Sequence, residues 1–264
     1  MALRIAPLFS GSSGNCILIQ SDRVSVLVDA GVSCARIERE LRRIGKDPSQ
    51  LSGILITHEH SDHISGVDVL MRKYDLPVYA NEATMCELER KLKEPVLKNM
   101  RVIDAGDFYI EDLNVTPFHI SHDAADPFGY AFSSGGKKVS VMTDLGRVTK
   151  SVLAAVKGSN IVLLESNHDV DMLYSGSYPY YLKRRILSAT GHLSNDDAAK
   201  AAFELVKMGV RGLLLGHLSK NNNQESLAML TVCNYLAQNG VIKGKHVAVE
   251  VTHRDGCCGV YDAR

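Results

Sequence analysis

The chain has 264 residues, 45% of them hydrophobic, with 30 Lys and Arg against 30 Asp and Glu. That length and apolar content suffice for a sizeable core in one α/β unit spanning 1–264. A net charge of zero excludes a protein that meets polyanions through its overall charge, although a locally basic groove stays open. No apolar run approaches the ~20 residues of a membrane span.

The N-terminal part reads as strands. RIAPLF, CILIQ and VSVLVDAG are apolar and β-branched, separated by the turn SGSSGN and by Ser21-Asp22. Residues 33–45 read as a helix, with Ile37, Leu41 and Ile44 on one face and Gly45 placed to end it. LSGILIT is a buried strand, 64–74 a helix, PVYA a strand and 82–93 a helix. From about 100 to 143 come consecutive strands with Gly turns: RVIDA, DFYI, LNVTPFHI, GYAFSS and KKVSVMT. A helix over 149–157, the strand NIVLLES and a helix over 178–189 follow. SNDDAAKAAFELVKMG is an amphipathic helix opened by the capping pair Ser194 and Asp197, with Asp in the place of the usual Glu. The strand GLLLG, a helix over 223–238 and the strand KHVAVEV complete the chain. This order predicts an α/β fold of two mixed sheets packed face to face with helices outside. Ligand-type residues cluster where strands end, which is where α/β folds place their sites.

The six cysteines include no CxxC, and the adjacent pair Cys257-Cys258 suits neither a disulfide nor a zinc ribbon. They read as small buried hydrophobes in a reducing cytoplasm. MALRIAPLFSG lacks the basic start and long apolar core of a signal peptide.

ITHEHSDH, residues 56–63, puts three of the ten histidines into six positions. At a strand exit, residues two apart point the same way, so His58 and His60 can reach one metal ion. Asp62 and His63 fall where the next helix begins and can turn toward a second. Imidazoles with one carboxylate suit zinc, manganese or iron. A solvated loop rich in histidine by chance is the bland alternative, and the spacing disfavours it.

HxHxDH at such a junction resembles the metallo-β-lactamase superfamily, and four further segments fit its order: VDAG, ISHDAADPFGYAF, VMTDLG and LGHLSKNNN. The resemblance covers nearly the whole chain and implies an αββα sandwich with two divalent metal ions. It implies His58, His60, His122 and Asp144 around one ion, and Asp62, His63, Asp144 and His217 around the other. Asp29 would support the first histidines through hydrogen bonds. SGSSGN, ESNHD, GHLSN and LGHLSKNNN are similar to a branch of cytoplasmic bacterial metallohydrolases that act as 5′-to-3′ exonucleases on DNA. The implied nucleophile is a metal-bridging hydroxide, with Asp62 and Asp144 holding metals and orienting it. His192, in the GH motif, would stabilise the transition state or protonate the leaving oxygen.

Other residues carry two readings each. SGSSGN, through Ser10, Ser12, Ser13 and Asn15, is either a phosphate cradle or an ordinary hairpin turn, and Lys220 is a further phosphate contact. His168 is metal-proximal, substrate-facing or structural. YSGSYPYYLKRR interleaves tyrosines with Lys183, Arg184 and Arg185, which is what single-strand binding needs, or else it is a loop and a helix with a solvated basic face. His119, three residues before His122, faces away from it as a core or surface side chain. A small or cyclic phosphodiesterase is the rival activity, with RNA beside DNA as substrate. A non-catalytic binding module would have lost ligands, and all seven are present.

Overall fold

The computed structural model describes residues 2–264. Fourteen strands among them form two seven-stranded sheets, in the orders β14-β1-β2-β3-β4-β5-β6 and β13-β12-β11-β10-β9-β8-β7. In the first sheet, β1 (Arg4–Phe9), β2 (Cys16–Gln20) and β3 (Ser25–Val28) form an antiparallel meander. After α1 (Cys34–Arg43), β4 (Gly53–Leu55) joins β3 in parallel. Two short helices, α2 (Ser61–Ile64) and α3 (Val67–Tyr74), lead to β5 (Val78–Ala80). Then α4 (Glu82–Lys91) leads to β6 (Met100–Val102), again in parallel.

The second sheet repeats the plan. β7 (Phe108–Ile110), β8 (Leu113–His119), β9 (Phe128–Ser134) and β10 (Lys137–Met142) are antiparallel neighbours. α5 (Lys150–Val156) crosses to β11 (Ile161–Glu165), and α6 (Val170–Ser175), α7 (Tyr180–Ile186) and α8 (Asn195–Lys207) precede β12 (Gly212–Gly216). α9 (Glu225–Gln238) leads to β13 (Ala248–Val251), and β10 to β13 are parallel. β14 (Tyr261–Asp262) returns to pair with β1.

The strands are apolar on both faces because both faces are covered. Ile5, Ile17, Ile19, Val26 and Val28 of the first sheet meet Phe128, Tyr130, Phe132, Val139 and Leu163 of the second in a buried layer between the sheets. Ala6, Leu8, Leu18 and Ile54 face the other way, onto Ile37, Leu41, Leu70 and Leu88 of the outer helices. Val162, Leu164, Leu213 and Leu215 do the same beneath α5, α8 and α9. The expected αββα arrangement of two mixed sheets is therefore observed.

Details differ. The helix expected over 64–74 is two helices broken at Ser65-Gly66. Gly66 sits against the β3 exit, where its N–H donates to the Ala30 carbonyl at 2.7 Å and a Cβ would lie 2.2 Å from the Val32 oxygen. The helix expected over 178–189 is confined to Tyr180–Ile186, because Pro179 starts it and Gly191 packs tightly on the backbone of Arg185 and Ile186. α6 lies where no helix is expected, nucleated by Asp169, whose side chain accepts the Met172 N–H at 2.8 Å.

Candidate metal centre

The strands β3, β4, β8, β10, β11 and β12 all deliver their C-terminal ends to one edge of the sandwich, and the ligand-type residues leave from there. Asp29 follows β3, His58 follows β4, Asp144 follows β10 and His217 follows β12. Asp29, Asp144 and His217 have φ of 62°, 59° and 56°, the left-handed region that non-glycine residues seldom occupy. Such backbone strain persists where surrounding contacts over-determine it, and it concentrates at functional sites.

Two groups of ligand atoms converge. Nδ1 of His60 lies 3.0 Å from Nε2 of His58 and 3.3 Å from Nε2 of His122. Asp62, His63 and His217 form the second group, within metal-binding reach of one another. Asp144 stands between them: its oxygens lie 3.5 Å from His63 Nε2, 3.3 Å from His217 Nε2 and 4.0 Å from His122 Nε2. All seven residues named for metal binding thus converge, with Asp144 in reach of His58 and His63 on one side and of His217, Glu165 and His192 on the other.

The opposite ring nitrogens are tied down. His63 Nδ1 lies 2.8 Å from Asp29 Oδ2, and Asp29 also accepts from the Thr57 backbone and hydroxyl at 2.8 Å each. His58 Nδ1 meets the Thr57 hydroxyl at 2.9 Å, and His122 Nδ1 meets the Gly191 carbonyl at 3.2 Å. His217 Nδ1 meets Glu165 Oε1 at 2.8 Å. Each contact orients its ring and turns the other nitrogen toward the cluster.

Asp144 Oδ2 and His217 Nε2 are buried without a hydrogen-bond partner. Burying unpaired polar atoms costs stability, and a divalent cation would satisfy both. The residues present fit such ions. Nitrogen with one or two carboxylates suits zinc, manganese or iron.

Crowding sets the electrostatics. Burial opposes a charge on His217, but Asp144, Asp62 and Glu165 outweigh it and raise its pKa to about 10. Burial likewise opposes charge on His63, and Asp144, Asp29 and Asp62 push it well above the usual imidazole range. His58 and His122 go down, burial being the dominant cause. Burial also disfavours ionisation of Asp144, yet His217 and His63 hold it well below the usual carboxylate range. The same balance, with His192 and His217 opposing burial, holds Glu165 at about 2.

Glu165 opens ESNHD, but residue type draws the sequence reading to His168 and gives the acid no role. Its Oε1 takes both His192 Nδ1 and His217 Nδ1 at 2.8 Å, while Oε2 accepts the Leu145 N–H at 2.8 Å. His192 packs beside the ligands, its ring 5.1 Å from that of His122 and 5.3 Å from that of His217.

The other named residues are distributed differently. Ser10 and Asn15 are buried and face inward, not toward solvent. The Ser10 hydroxyl accepts the His217 N–H at 2.9 Å. Asn15 lies 3.0 Å from His63 Nε2, accepts the Gly11 N–H at 3.0 Å and donates its own backbone N–H to the Asp62 carbonyl at 2.8 Å. Both support ligand loops. Ser12 and Ser13 are exposed at the tip of SGSSGN, and Gly11 bridges to Leu218, beside the loop that carries exposed Lys220. His168 is buried with neither ring nitrogen partnered, and burial first of all lowers it to about 4. It belongs to neither ligand group. His119 is exposed and paired with Asp126 at 2.8 Å.

A family model described as "Beta-lactamase superfamily domain" matches residues 25–218. Exodeoxyribonuclease YycJ of Bacillus anthracis is 41% identical over 253 residues, covering 96% of each chain. Exodeoxyribonuclease WalJ of Streptococcus pneumoniae is 42% identical over 240 residues, covering 88% of this chain and 87% of its own. The crystal structure of the metallo-beta-lactamase fold protein YhfI from Bacillus subtilis superposes with a TM-score of 0.73 at 17% identity, covering 98% of this chain and 99% of the other. That last likeness is one of fold.

Proposed function

The chain belongs to the metallo-β-lactamase superfamily, in the branch of the YycJ and WalJ exodeoxyribonucleases, and on that premise we propose that it is a dinuclear-metal-dependent 5′-to-3′ exonuclease acting on DNA. The observation that carries this reading is the convergence of His58, His60, His122, Asp62, His63 and His217 about the buried Asp144. Two divalent ions, zinc or manganese in first place and iron in second, supply Lewis acidity and lower the pKa of water toward neutrality.

The chain's own residues do the rest. Thr57, Asp29, Glu165 and the Gly191 carbonyl orient the imidazoles. Asp62 and Asp144 hold the ions and orient the attacking water in line with the scissile P–O bond. His192 gives Nδ1 to Glu165, which leaves Nε2 for the substrate. In its doubly protonated form His192 passes the Nε2 proton to the leaving oxygen as the P–O bond breaks, and is left neutral with the Nδ1 proton still donated to Glu165. Ser12, Ser13 and Lys220, on adjoining loops, take the terminal phosphate. Ser10 and Asn15 serve indirectly, by shaping the loops. Six free cysteines suit a reducing cytoplasm, and among the described residues no helix is long and apolar enough to cross a membrane.

The test is digestion of 5′-phosphorylated, end-labelled duplex DNA with added Mn²⁺, beside matched RNA and a small bis-phosphodiester. Metal-dependent shortening from the 5′ end, lost in Asp62→Ala/His63→Ala, is expected. Intact DNA with turnover of the small diester would overturn the reading in favour of a small-molecule phosphodiesterase.

A further inference from the structure

Beside the metal ligands lies an open groove of about 610 Å³, lined by Glu59, His60, Asp62, Ser65, Lys91 and Arg185. Lys91 ends α4, and its ammonium donates to the Glu59 carbonyl at 3.1 Å. Among the described residues no carboxylate lies within ion-pair distance of it. This cation is therefore held against the ligand loop outside any direct ion pair.

Arg185 comes from α7 on the other side. Its Nε and Nη2 pair with Asp123, the latter at 2.9 Å. This fork orients the guanidinium and leaves Nη1 free to donate. Asp123 itself follows ligand His122 and lies 3.5 Å from its Nε2, so Arg185 is indexed to the metal centre.

One turn earlier on the same face of α7 stands Tyr181, four residues before Arg185. Its ring is 75% exposed and that of Tyr180 74%, with the Arg184 guanidinium 5.9 Å from the Tyr180 centroid. Large exposed rings beside cations are poor design for a solvated face. They are what a strand of stacked bases needs, because stacking tolerates any sequence while fixed cations follow the phosphates.

Resting on the exonuclease reading above, we infer that Lys91, Arg185 and Tyr181 form a single-strand rail: the two cations hold backbone phosphates on either side of the groove and Tyr181 stacks on an unpaired base. The rail gives Arg185, one of the three cations of YSGSYPYYLKRR, a role in a chain of zero net charge. It also defines the substrate as a separated strand at the cleavage point.

The test measures binding of a 5′-phosphorylated, nuclease-resistant phosphorothioate single strand to the metal-loaded protein by fluorescence anisotropy across salt concentrations. Lys91→Ala and Arg185→Gln should each weaken binding about ten-fold and lower the slope of log K against log salt by about 0.7. Tyr181→Ala should weaken it roughly ten-fold. It should have no effect on a strand made abasic at the stacked position, an outcome a merely structural tyrosine would not produce. Lys207→Ala, on the far helix α8, should bind as wild type.

Unchanged affinities and slopes in all three variants would overturn the rail, as would a wild-type protein that does not bind the strand. Cleavage separates the two failures. If DNA is still shortened from its 5′ end, the exonuclease reading stands without the rail. If only the small diester turns over, both fall.

Discussion

His192 and His217 hang from one oxygen: Oε1 of Glu165 lies 2.8 Å from Nδ1 of each ring. One buried carboxylate thereby orients His217 and the proposed proton donor together. Their Nε2 atoms are left for two different tasks, metal and substrate. β11 and β12 are parallel neighbours with Glu165 opposite Gly216, so the acid and the ligand loop lie side by side at the strand ends.

Glu165→Gln removes the charge that both rings share. An amide oxygen still accepts one N–H but holds neither ring as strongly. Metal affinity and kcat should each fall 10–100-fold, the usual range for a residue that orients metal ligands. Competitive chelator titration reads the first and steady-state kinetics the second. His192→Gln should lower kcat by about 10²–10⁴ with metal content retained. Equal loss of metal in both variants would place His192 among the ligands.

Removal of the ions should destabilise the fold. A ligand that binds only the native state at a thousand times its Kd contributes about 4 kcal/mol. At 2–4 °C per kcal/mol for a chain of this size, chelation should lower Tm by roughly 10 °C. Asp144→Ala should lower metal content at both centres and Asp62→Ala at one, counted by elemental analysis of the dialysed proteins.

Gly31, in VDAG, has no space for a side chain. A Cβ there would stand 1.6 Å from the Asp62 carbonyl oxygen and 2.7 Å from the Asn15 nitrogen. Gly31→Ala should displace the loop that carries Asp62 and His63. The expected cost is about 3 kcal/mol, with weakened metal binding, whereas Gly106→Ala meets no atom within 4 Å and should leave metal binding intact. Thermal melts with and without Mn²⁺ check both.

The pH dependence of stability has a marker far from the metals. Glu38 on α1 accepts from Lys73 at 2.6 Å, Tyr74 at 2.9 Å and the Cys34 thiol at 3.1 Å. Lys73 first, then Cys34, hold its carboxyl at about 2. A depressed carboxylate stabilises the fold above its unfolded pKa of about 4.3, and that contribution is lost as pH falls toward the folded value. Glu38→Gln should therefore lower Tm most at pH 6–7, with the difference closing between about pH 4.3 and 2. A difference that is constant with pH would mean that the charge is not what matters.

The site was legible where its chemistry is local. HxHxDH declares itself because the backbone at a strand-to-helix junction makes neighbours in sequence neighbours in space. His122, Asp144 and His217 could be named through resemblance, each at the end of an apolar strand. In ESNHD the histidine draws notice by its residue type, yet the glutamate makes the contact that matters. In SGSSGN the hydroxyls suggest phosphate, yet Ser10 and Asn15 turn inward to His217, His63 and the Asp62 loop.

Periodicity and residue type alone determined that strands and helices alternate in two mixed sheets, and that ligand-type residues cluster at strand exits. Those properties are local, since they follow from a repeat of two or 3.6 residues and from which side chains avoid water. Tertiary structure alone decided that Glu165 serves two histidines, that Ser10 and Asn15 turn inward, and that Arg185 and Lys91 line one groove. These are distances between segments far apart in the chain. They are set by strand order and register, to which no short window of residues has access.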